Sequence, residues 1–375
     1  MTFSVPTLFG LEGVCAEELR RMELKNVRAE NGRALFEGDA GDMVRANLNL
    51  RTGERVLLRV GGFEAPDFDA LYNGVRALPW EEFIPREGAF PVRCRSLGSK
   101  LTSEQRCGAV VRAAVGDRLG EKYGLERLPE SGGVYQIRLM LMADTAELSL
   151  DTTGPSLHKR GYRAMSVAAP LRETLAAGMV LLSRYRGKDP FRDPFCGSGT
   201  IPIEAALIAK NRAPGLERSF AAQKWAWAPA GLWMEEAERA MDLEYHGSYD
   251  IWGGDIDPAA VELAKDNAVK AGVEDVVRFE RADALRFSPT SPRGRVVTNP
   301  PYGERLSDRG GAEELYAAFG RAWRKTPPGW SLYLMSSHTE FERTFGKKAD
   351  RKRKLYNGML KCDLFQYLER RDGEK

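Results

Sequence analysis

The sequence predicts an α/β fold in which a doubly wound, mostly parallel sheet follows two small α+β units. Strands and helices alternate from residue 190 to residue 367, which is typical of a parallel sheet with helices on both faces. A glycine-rich turn, Gly197-Ser198-Gly199, joins an apolar stretch to a helix. The first 150 residues carry shorter elements and a hairpin pattern instead.

The first small unit, residues 1–63, combines helix and strand periodicity. One face of a predicted helix carries the apolar side chains of Leu11, Val14, Cys15, Leu19 and Met22. Strands are predicted at 33–37 and 56–63, and Asp39 suits the N-cap of a helix between them.

The second small unit, residues 64–156, is predicted to hold helices at 67–77 and 103–119, a strand at 90–94 and a hairpin at 134–150, with Thr102 or Ser103 capping the second helix. A local excess of positive charge lies in this unit, with Arg86, Arg93, Arg95, Lys100, Arg106 and Arg112 against Glu87 and Glu104. We interpret Arg93, Arg95 and Lys100 as candidate RNA contacts. The same charges are equally typical of a solvated face.

A basic and aromatic cluster lies in the predicted connector, residues 151–169. Its members Lys159, Arg160, Tyr162 and Arg163 combine the cations that grip phosphate with a ring that stacks on a base. Packing between domains explains the cluster equally well.

The third unit is predicted from alternating patterns. Strands are expected at 190–195, 251–254, 276–280, 295–298, 331–336 and 362–367, and helices at 171–182, 201–210, 258–271 and 313–324. Ligands of such sheets bind beyond the carboxyl ends of the strands. The glycine-rich turn and the acids that follow the next strands therefore meet at one edge.

These residue types match the parts of S-adenosyl-L-methionine. Asp193 can accept from an ammonium group, and the backbone amides of 197–200 at a helix start can receive a carboxylate. Asp255 after the second strand suits a ribose, and Asp283 after the third suits an adenine amino group. We assign to the cofactor Asp193, Pro194, Cys196, Gly197, Ser198, Gly199, Thr200, Asp255, Ile256, Asp283, Ala284 and Asn299.

The segment Asn299-Pro300-Pro301-Tyr302 predicts the methyl acceptor. The Asn299 side-chain oxygen and the Pro300 carbonyl can each accept an N–H bond of a planar amine, which frees its lone pair for in-line attack. The prolines fix the backbone, and Tyr302 can stack on the ring. We therefore predict Asn299, Pro300, Pro301 and Tyr302 as the catalytic segment.

Three other features have plainer interpretations. Cys196 lies inside the cofactor turn, so we interpret it as a space-filling thiol and not as a nucleophile. Trp225, Trp227 and Trp233 indicate an ordered insertion bordering the pocket, with core packing as the default role. Six cations within 347–354 indicate a solvated loop, or a phosphate contact before the last strand.

Composition excludes several classes of protein. Charged residues are 29% of the 375, and the formal net charge is only +3, so any nucleic-acid surface must be a local patch. Five scattered cysteines and three isolated histidines indicate neither disulfides nor a metal site. No leader pattern and no apolar run of about 18 residues is present, so we predict a cytoplasmic protein without a membrane span.

Four segments carry a family resemblance: LHKRGYR at 157–163, PLRETLAA at 170–177, RAPG at 212–215 and NPPYGERL at 299–306. With them the chain resembles the THUMP-domain RNA guanine-N2 methyltransferases, especially the bacterial enzymes that act on 23S rRNA. The resemblance implies a ferredoxin-like domain at 1–63, a THUMP RNA-binding domain at 64–156, and a Rossmann-like methyltransferase domain at 157–375 with a mostly parallel seven-stranded sheet.

Alternatives remain open at this point. The resemblance also covers tRNA guanosine-N2 methyltransferases, and DNA or protein-glutamine methyltransferases share the same amine chemistry. A catalytically idle RNA-binding assembly factor is an alternative of another class. Guanine N2 and adenine N6 are chemically equivalent acceptors here, and only the likeness through Gly303-Glu304-Arg305-Leu306 favours guanine. The sequence does not determine the oligomeric state.

Overall fold

The computed structural model describes residues 1–163, 171–302 and 306–369. Residues 164–169 of the predicted connector, Pro170, and Gly303-Glu304-Arg305 lie outside the described residues. The chain divides into two compact units. Unit 1 comprises Met1–Thr7, Ala16–Leu157 and Arg218–Arg239, and unit 2 comprises Leu8–Cys15, His158–Glu217 and Ala240–Lys375.

The N-terminal elements form one mixed sheet. They are β1 (Thr2–Pro6), α1 (Glu12–Arg21), β2 (Lys25–Glu30), β3 (Arg33–Glu37), α2 (Ala40–Asn49), β4 (Leu57–Glu64), α3 (Phe68–Ala77), β5 (Val92–Leu97), α4 (Glu104–Tyr123), β6 (Ile137–Met142) and β7 (Thr145–Asp151). The strand order is β2-β3-β1-β4-β7-β6-β5, and only β5 and β6 pair in parallel.

The two predicted α+β units share this sheet, because β4 pairs with β1 on one side and with β7 on the other. An edge strand exposes unpaired N–H and C=O groups, and pairing the two halves satisfies them. The predicted helix caps are confirmed at Asp39, whose side chain accepts from Asp42 N, and at Ser103, whose hydroxyl accepts from Arg106 N.

The later elements form the predicted doubly wound sheet. They are α5 (Glu173–Leu182), β8 (Phe191–Asp193), α6 (Thr200–Ala209), α7 (Ala230–Asp242), β9 (Ile251–Asp255), α8 (Pro258–Ala271), β10 (Val277–Arg281), β11 (Arg293–Thr298), α9 (Leu306–Trp323), β12 (Gly329–Ser336), α10 (Phe341–Phe345), β13 (Arg351–Asn357) and β14 (Leu360–Tyr367). The order is β10-β9-β8-β11-β12-β14-β13, parallel as far as β12 and antiparallel after it.

This strand order fixes where a ligand binds. The chain runs outward from β8 through β9 to β10 and then returns to the other side of β8 as β11. The carboxyl ends of β8 and β11 therefore form a topological switch point, where a crevice opens between adjacent loops. Apolar clusters cover both faces, with Leu175 and Ile203 in one and Tyr316 and Phe341 in the other.

The basic run near the C-terminus contains a strand that the sequence did not predict. Residues 351–357 form β13, which pairs in unbroken register with β14 from Arg351↔Gln366 to Asn357↔Leu360. Gly358, at φ +64°, begins the turn between the strands. The cations hide the strand from pattern analysis, since alternation is only polar with polar there.

The tryptophan-containing insertion packs in unit 1. Trp225 is buried, stacks on Tyr135 with ring centroids 4.7 Å apart, and donates its indole N–H to the Val134 carbonyl at 2.8 Å. Trp233 stacks on Phe220 at 5.0 Å. Core packing, the default expectation, is thus what the structure shows for both side chains.

Replacing Trp225 with Ala should lower the free energy of unfolding by about 3 to 5 kcal/mol, because a buried aromatic side chain is removed. Urea denaturation followed by circular dichroism measures the change. Trp225→Phe keeps a ring against Tyr135 and leaves the Val134 carbonyl without its donor, which should cost only about 1 to 3 kcal/mol. Equal losses for the two variants would contradict a packing role for this indole.

Candidate active site

A cavity of about 420 Å³ opens at the carboxyl end of β8. It is lined by Leu171, Asp193, Phe195, Cys196, Gly197, Ser198, Thr200, Ile201, Asp257, Ala259, Ala260, Leu263 and Asn299. The predicted donor turn and the predicted acceptor residue Asn299 therefore face one space, although about a hundred residues separate them in sequence.

The two turn glycines have different roles. Gly197 has φ +52°, and a Cβ added there would meet no described atom within 4 Å, so the turn is open on that side. Gly199 has φ +83°, and a Cβ there would lie 2.8 Å from the Phe279 ring and 2.9 Å from Ala264. The expectation that both glycines keep a ligand path clear therefore fits Gly197, whereas Gly199 lets α6 pack closely on the sheet.

Asp193 is a buried acid with one oxygen unused. Its Oδ1 accepts from Thr298 Oγ1 at 2.6 Å and from Phe195 N at 3.1 Å. Its Oδ2 is buried and has no hydrogen-bond partner among the described residues. Burial, with a smaller effect of the Asp255 charge, raises the pKa of Asp193 to about 7. A cationic ligand group at Oδ2 would satisfy this oxygen and favour the ionised form.

Asp255 is held at the end of β9 by backbone donors. Gly197 N donates to its Oδ2 at 2.9 Å, and Asp257 N donates to its Oδ1 at 3.0 Å. Each carboxylate oxygen can accept a further hydrogen bond. The adjacent Ile256 is 65% exposed, so its side chain is accessible beside the acid.

The predicted adenine residues lie elsewhere from the main cavity. Asp283 accepts from Leu285 N at 2.9 Å and, with Pro194 and Ala284, lines a second cavity of about 320 Å³. Thus Asp193, Cys196, Gly197, Ser198, Thr200 and Asn299 line the first cavity, whereas Pro194, Asp283 and Ala284 line the second. Gly199, Asp255 and Ile256 are in neither lining.

The acceptor segment follows β11 directly. Asn299 is half-buried, and its Oδ1 accepts a hydrogen bond from the Tyr302 hydroxyl. The Tyr302 ring packs against the apolar cluster of Leu175 and Ile203, and burial raises the pKa of this phenol well above its usual range. Tyr302 therefore remains a donor at neutral pH and fixes which way the Asn299 amide points.

Tyr316 is a supporting residue that sequence analysis missed. Its hydroxyl donates to the Pro301 carbonyl at 2.7 Å and lies 3.2 Å from Ser336 Oγ, which in turn accepts from His338 N at 3.1 Å. Burial raises the pKa of Tyr316 to about 12, so it stays protonated. In the sequence it is one apolar-face position of a helix, and no motif distinguishes it.

The interpretation of the 158–163 cluster as an RNA contact needs correction. Arg160 is only 3% exposed and faces the fully buried Glu204 at 3.4 Å, and the Tyr162 hydroxyl donates to the same carboxylate at 3.2 Å. Arg163 donates to Thr200 Oγ1 at 3.0 Å. Because desolvated ion pairs cannot also reach a polymer, we withdraw Arg160 and Tyr162 as RNA contacts. Lys159 is exposed.

The other RNA candidates are accessible. Arg93, Arg95 and Lys100 are exposed in unit 1, on β5 and the segment after it. Arg95 lies 3.5 Å from Glu104, and Lys100 lies 3.8 Å from Asp144. Such exposed pairs are weak and are readily exchanged for phosphate.

Cys196 behaves as expected of a packing thiol. It is 6% exposed, and burial raises the pKa of its thiol far above the ordinary value, which keeps it protonated and a poor nucleophile. Within residues 1–163, 171–302 and 306–369, no group of three or more His, Cys, Asp or Glu side chains is arranged to hold a metal ion. Over the same ranges no helix has the length and apolarity needed to cross a bilayer.

Comparison with known families identifies all three parts of the chain. Residues 2–57 match the RlmL ferredoxin-like domain, residues 65–151 the THUMP domain, and residues 160–366 the RMKL-like methyltransferase domain.

Individual relatives agree with this assignment. The Bacillus subtilis protein named "Putative RNA methyltransferase YpsC" is 40% identical over 96% of this chain and 93% of its own length. A "Ribosomal RNA large subunit methyltransferase K/L" from Syntrophotalea carbinolica is 36% identical over 96% of this chain, which spans 52% of that relative.

A solved structure, described as "SMU.472, a putative methyltransferase complexed with SAH", superimposes with a TM-score of 0.94 at 39% identity and covers 99% of this chain and 98% of its own. Its fold is thus that of the whole chain, including the cavity at the switch point. The ferredoxin-like, THUMP and methyltransferase segments together establish that this chain belongs to the THUMP-containing RMKL-like methyltransferases.

Proposed function

We propose that this protein transfers a methyl group from S-adenosyl-L-methionine to the exocyclic N2 of a guanosine in 23S rRNA. The observation that carries this proposal is that the unsatisfied Oδ2 of Asp193 and the amide of Asn299 border one cavity. One feature suits the ammonium group of the cofactor, and the other suits the amine to be methylated. A cytoplasmic location is part of the same proposal.

The residues present fit the cofactor. Asp193 Oδ2 would accept from the ammonium group, the open side of the turn at Gly197 admits the ligand, and Asp255 keeps lone pairs for two ribose hydroxyls. S-adenosylmethionine supplies an electrophilic methyl group on a sulfonium. Adenine recognition by Asp283 and Ala284 remains a proposal, supported by their place after β10.

The acceptor segment activates the amine by geometry. Asn299 Oδ1 and the Pro300 carbonyl each accept one N–H bond, so that the nitrogen lone pair turns toward the methyl group. A carbonyl oxygen has two lone pairs, and Tyr302 takes only one of those on Asn299. Tyr302 thus serves as a positioning residue, beside its predicted stacking on the base. No base is needed before transfer, because the proton leaves a cationic product.

The choice of guanosine in 23S rRNA rests on the K/L relatives and on the resemblance in the acceptor segment. The THUMP match supports RNA as the partner, through Arg93, Arg95 and Lys100. Because the amine must reach a concave site, the base has to be unstacked, which favours a loop or incompletely assembled rRNA. A tRNA guanosine remains the alternative substrate. A catalytically idle assembly factor is disfavoured by the complete donor and acceptor residues.

Acidification should weaken binding of S-adenosylhomocysteine, which has the same amino-acid end as the donor. Asp193 must be ionised to accept from an ammonium group, and its pKa is raised to about 7, so affinity should fall as the pH drops through that value. The limit is about tenfold per pH unit. Calorimetry between about pH 5.5 and 7.5 measures this. Asp193→Asn should bind weakly with a flat profile, and parallel profiles for the two proteins would contradict the assignment.

Replacing Asn299 with Ala should reduce kcat by roughly a hundredfold or more, the cost of losing one transition-state hydrogen-bonding group. Affinity for S-adenosylhomocysteine should change little. Tyr302→Phe removes only the hydroxyl that orients Asn299, so it should lower kcat by a smaller factor at unchanged thermal stability and cofactor affinity. Single-turnover assays on rRNA measure both variants. An Asn299→Ala enzyme with most of its rate would refute the amine mechanism.

The product should be N2-methylguanosine in large-subunit rRNA. Mass spectrometry of nucleosides from separated rRNA and tRNA of cells lacking the protein should show loss of this nucleoside from the rRNA alone. The purified protein should restore it on protein-free rRNA better than on finished subunits. N6-methyladenosine, or a mark confined to tRNA, would overturn the substrate assignment and leave methyl transfer intact.

A further inference from the structure

Unit 2 has a basic cavity of about 690 Å³ at the end of the sheet opposite to Asn299. Arg295, near the start of β11, and Ser331, near the start of β12, line it, whereas Asn299 follows the last residue of β11. Its lining holds five cations, Arg184, Arg295, Arg351, Lys352 and Arg353, against one acid, Glu369. We call this the amino-end cavity.

The cations of the amino-end cavity are incompletely neutralised. Arg295 shares Asp189 with Arg293, at 3.4 Å and 3.3 Å, and its Nε is buried without a hydrogen-bond partner in the described part of the chain. Arg184 and Arg351 are exposed, and no carboxylate among the described residues lies within 4 Å of either. The net field in the cavity is therefore positive.

Protection of the sheet edge explains only part of this charge. Cations on an edge strand discourage pairing with other chains, and β13 is the edge of this sheet. Arg184, however, follows α5, and Arg295 lies on β11 inside the sheet. These two cations converge with Arg351 and Arg353 on one concavity without serving the edge, which indicates an anionic ligand.

We propose that the amino-end cavity binds phosphodiester groups of the RNA substrate at a distance from the target nucleotide. The proposal rests on the proposed function, since it deepens how that site holds its RNA. The six residues of β11 separate the two ends of the sheet by roughly 20 Å. A contact so far from the reacting base adds affinity for long RNA and leaves the methyl-transfer step unchanged.

The test compares two double variants by RNA affinity. Arg184→Gln/Arg351→Gln removes the two exposed cations of the cavity, and Lys354→Gln/Lys361→Gln removes equal charge from neighbouring exposed positions that do not line it. Binding to protein-free 23S rRNA is measured between about 50 and 200 mM salt. The first variant should flatten the plot of log affinity against log salt by about 1.4 to 1.8, at 0.7 to 0.9 per lost phosphate contact. The control should keep the wild-type slope.

Further measurements separate the possible failures. At saturating RNA, kcat and S-adenosylhomocysteine affinity of the first variant should equal those of the wild type, with KM for rRNA raised. Equal slopes for all three proteins would overturn the site. So would variant-sensitive binding of inorganic pyrophosphate with unchanged RNA affinity, which would indicate a small-anion site. If the wild-type protein had no affinity for rRNA, the proposed substrate would be wrong, and this site with it.

Discussion

A single hydrogen bond, from Thr298 Oγ1 to Asp193 Oδ1 at 2.6 Å, joins the two halves of the active site. It links the last residue of β11 to the last residue of β8, the two strands at the switch point. Because it satisfies one oxygen of a buried carboxyl and leaves the other without a protein partner, it aims that second oxygen at the cavity. The donor turn and the acceptor segment then start from fixed and adjacent points.

Further buried polar contacts hold each half in place. The acceptor segment is supported by the Tyr316 hydroxyl on the Pro301 carbonyl, and the Asn299 amide is oriented by Tyr302. On the other side, Arg160 and Glu204 form a desolvated ion pair inside unit 2. Groups of this kind are costly to bury unless they are paired, so they favour one arrangement of the chain over its alternatives. Preorganisation is what a reaction without a general base requires.

Basic side chains in this molecule divide according to burial. Arg160 and Arg163 pair with carboxylates inside unit 2, whereas Arg93 and Arg95 are exposed on β5 of unit 1. Cations that keep their hydration and lie outside strong pairs can exchange counter-ions for RNA phosphates. A near-neutral net charge is therefore compatible with RNA binding, since the excess is local.

The sequence by itself determined the α/β alternation, the glycine-rich turn and the Asn299-Pro300-Pro301-Tyr302 segment. Each is a local signal, because periodicity, a positive φ and a run of consecutive acceptors depend on neighbouring residues only. It also indicated the capping residue Asp39, whose partner is three positions away.

The tertiary structure decided features whose partners are far apart in sequence. Glu204 captured Arg160 and Tyr162 from about 42 to 44 positions away, and Tyr135 captured Trp225 from 90 positions away. An arginine or a tryptophan has the same identity whether it meets solvent, RNA or a buried partner. Only the packing of distant elements removes water from one of them and leaves another exposed, and that desolvation decides which role the side chain takes.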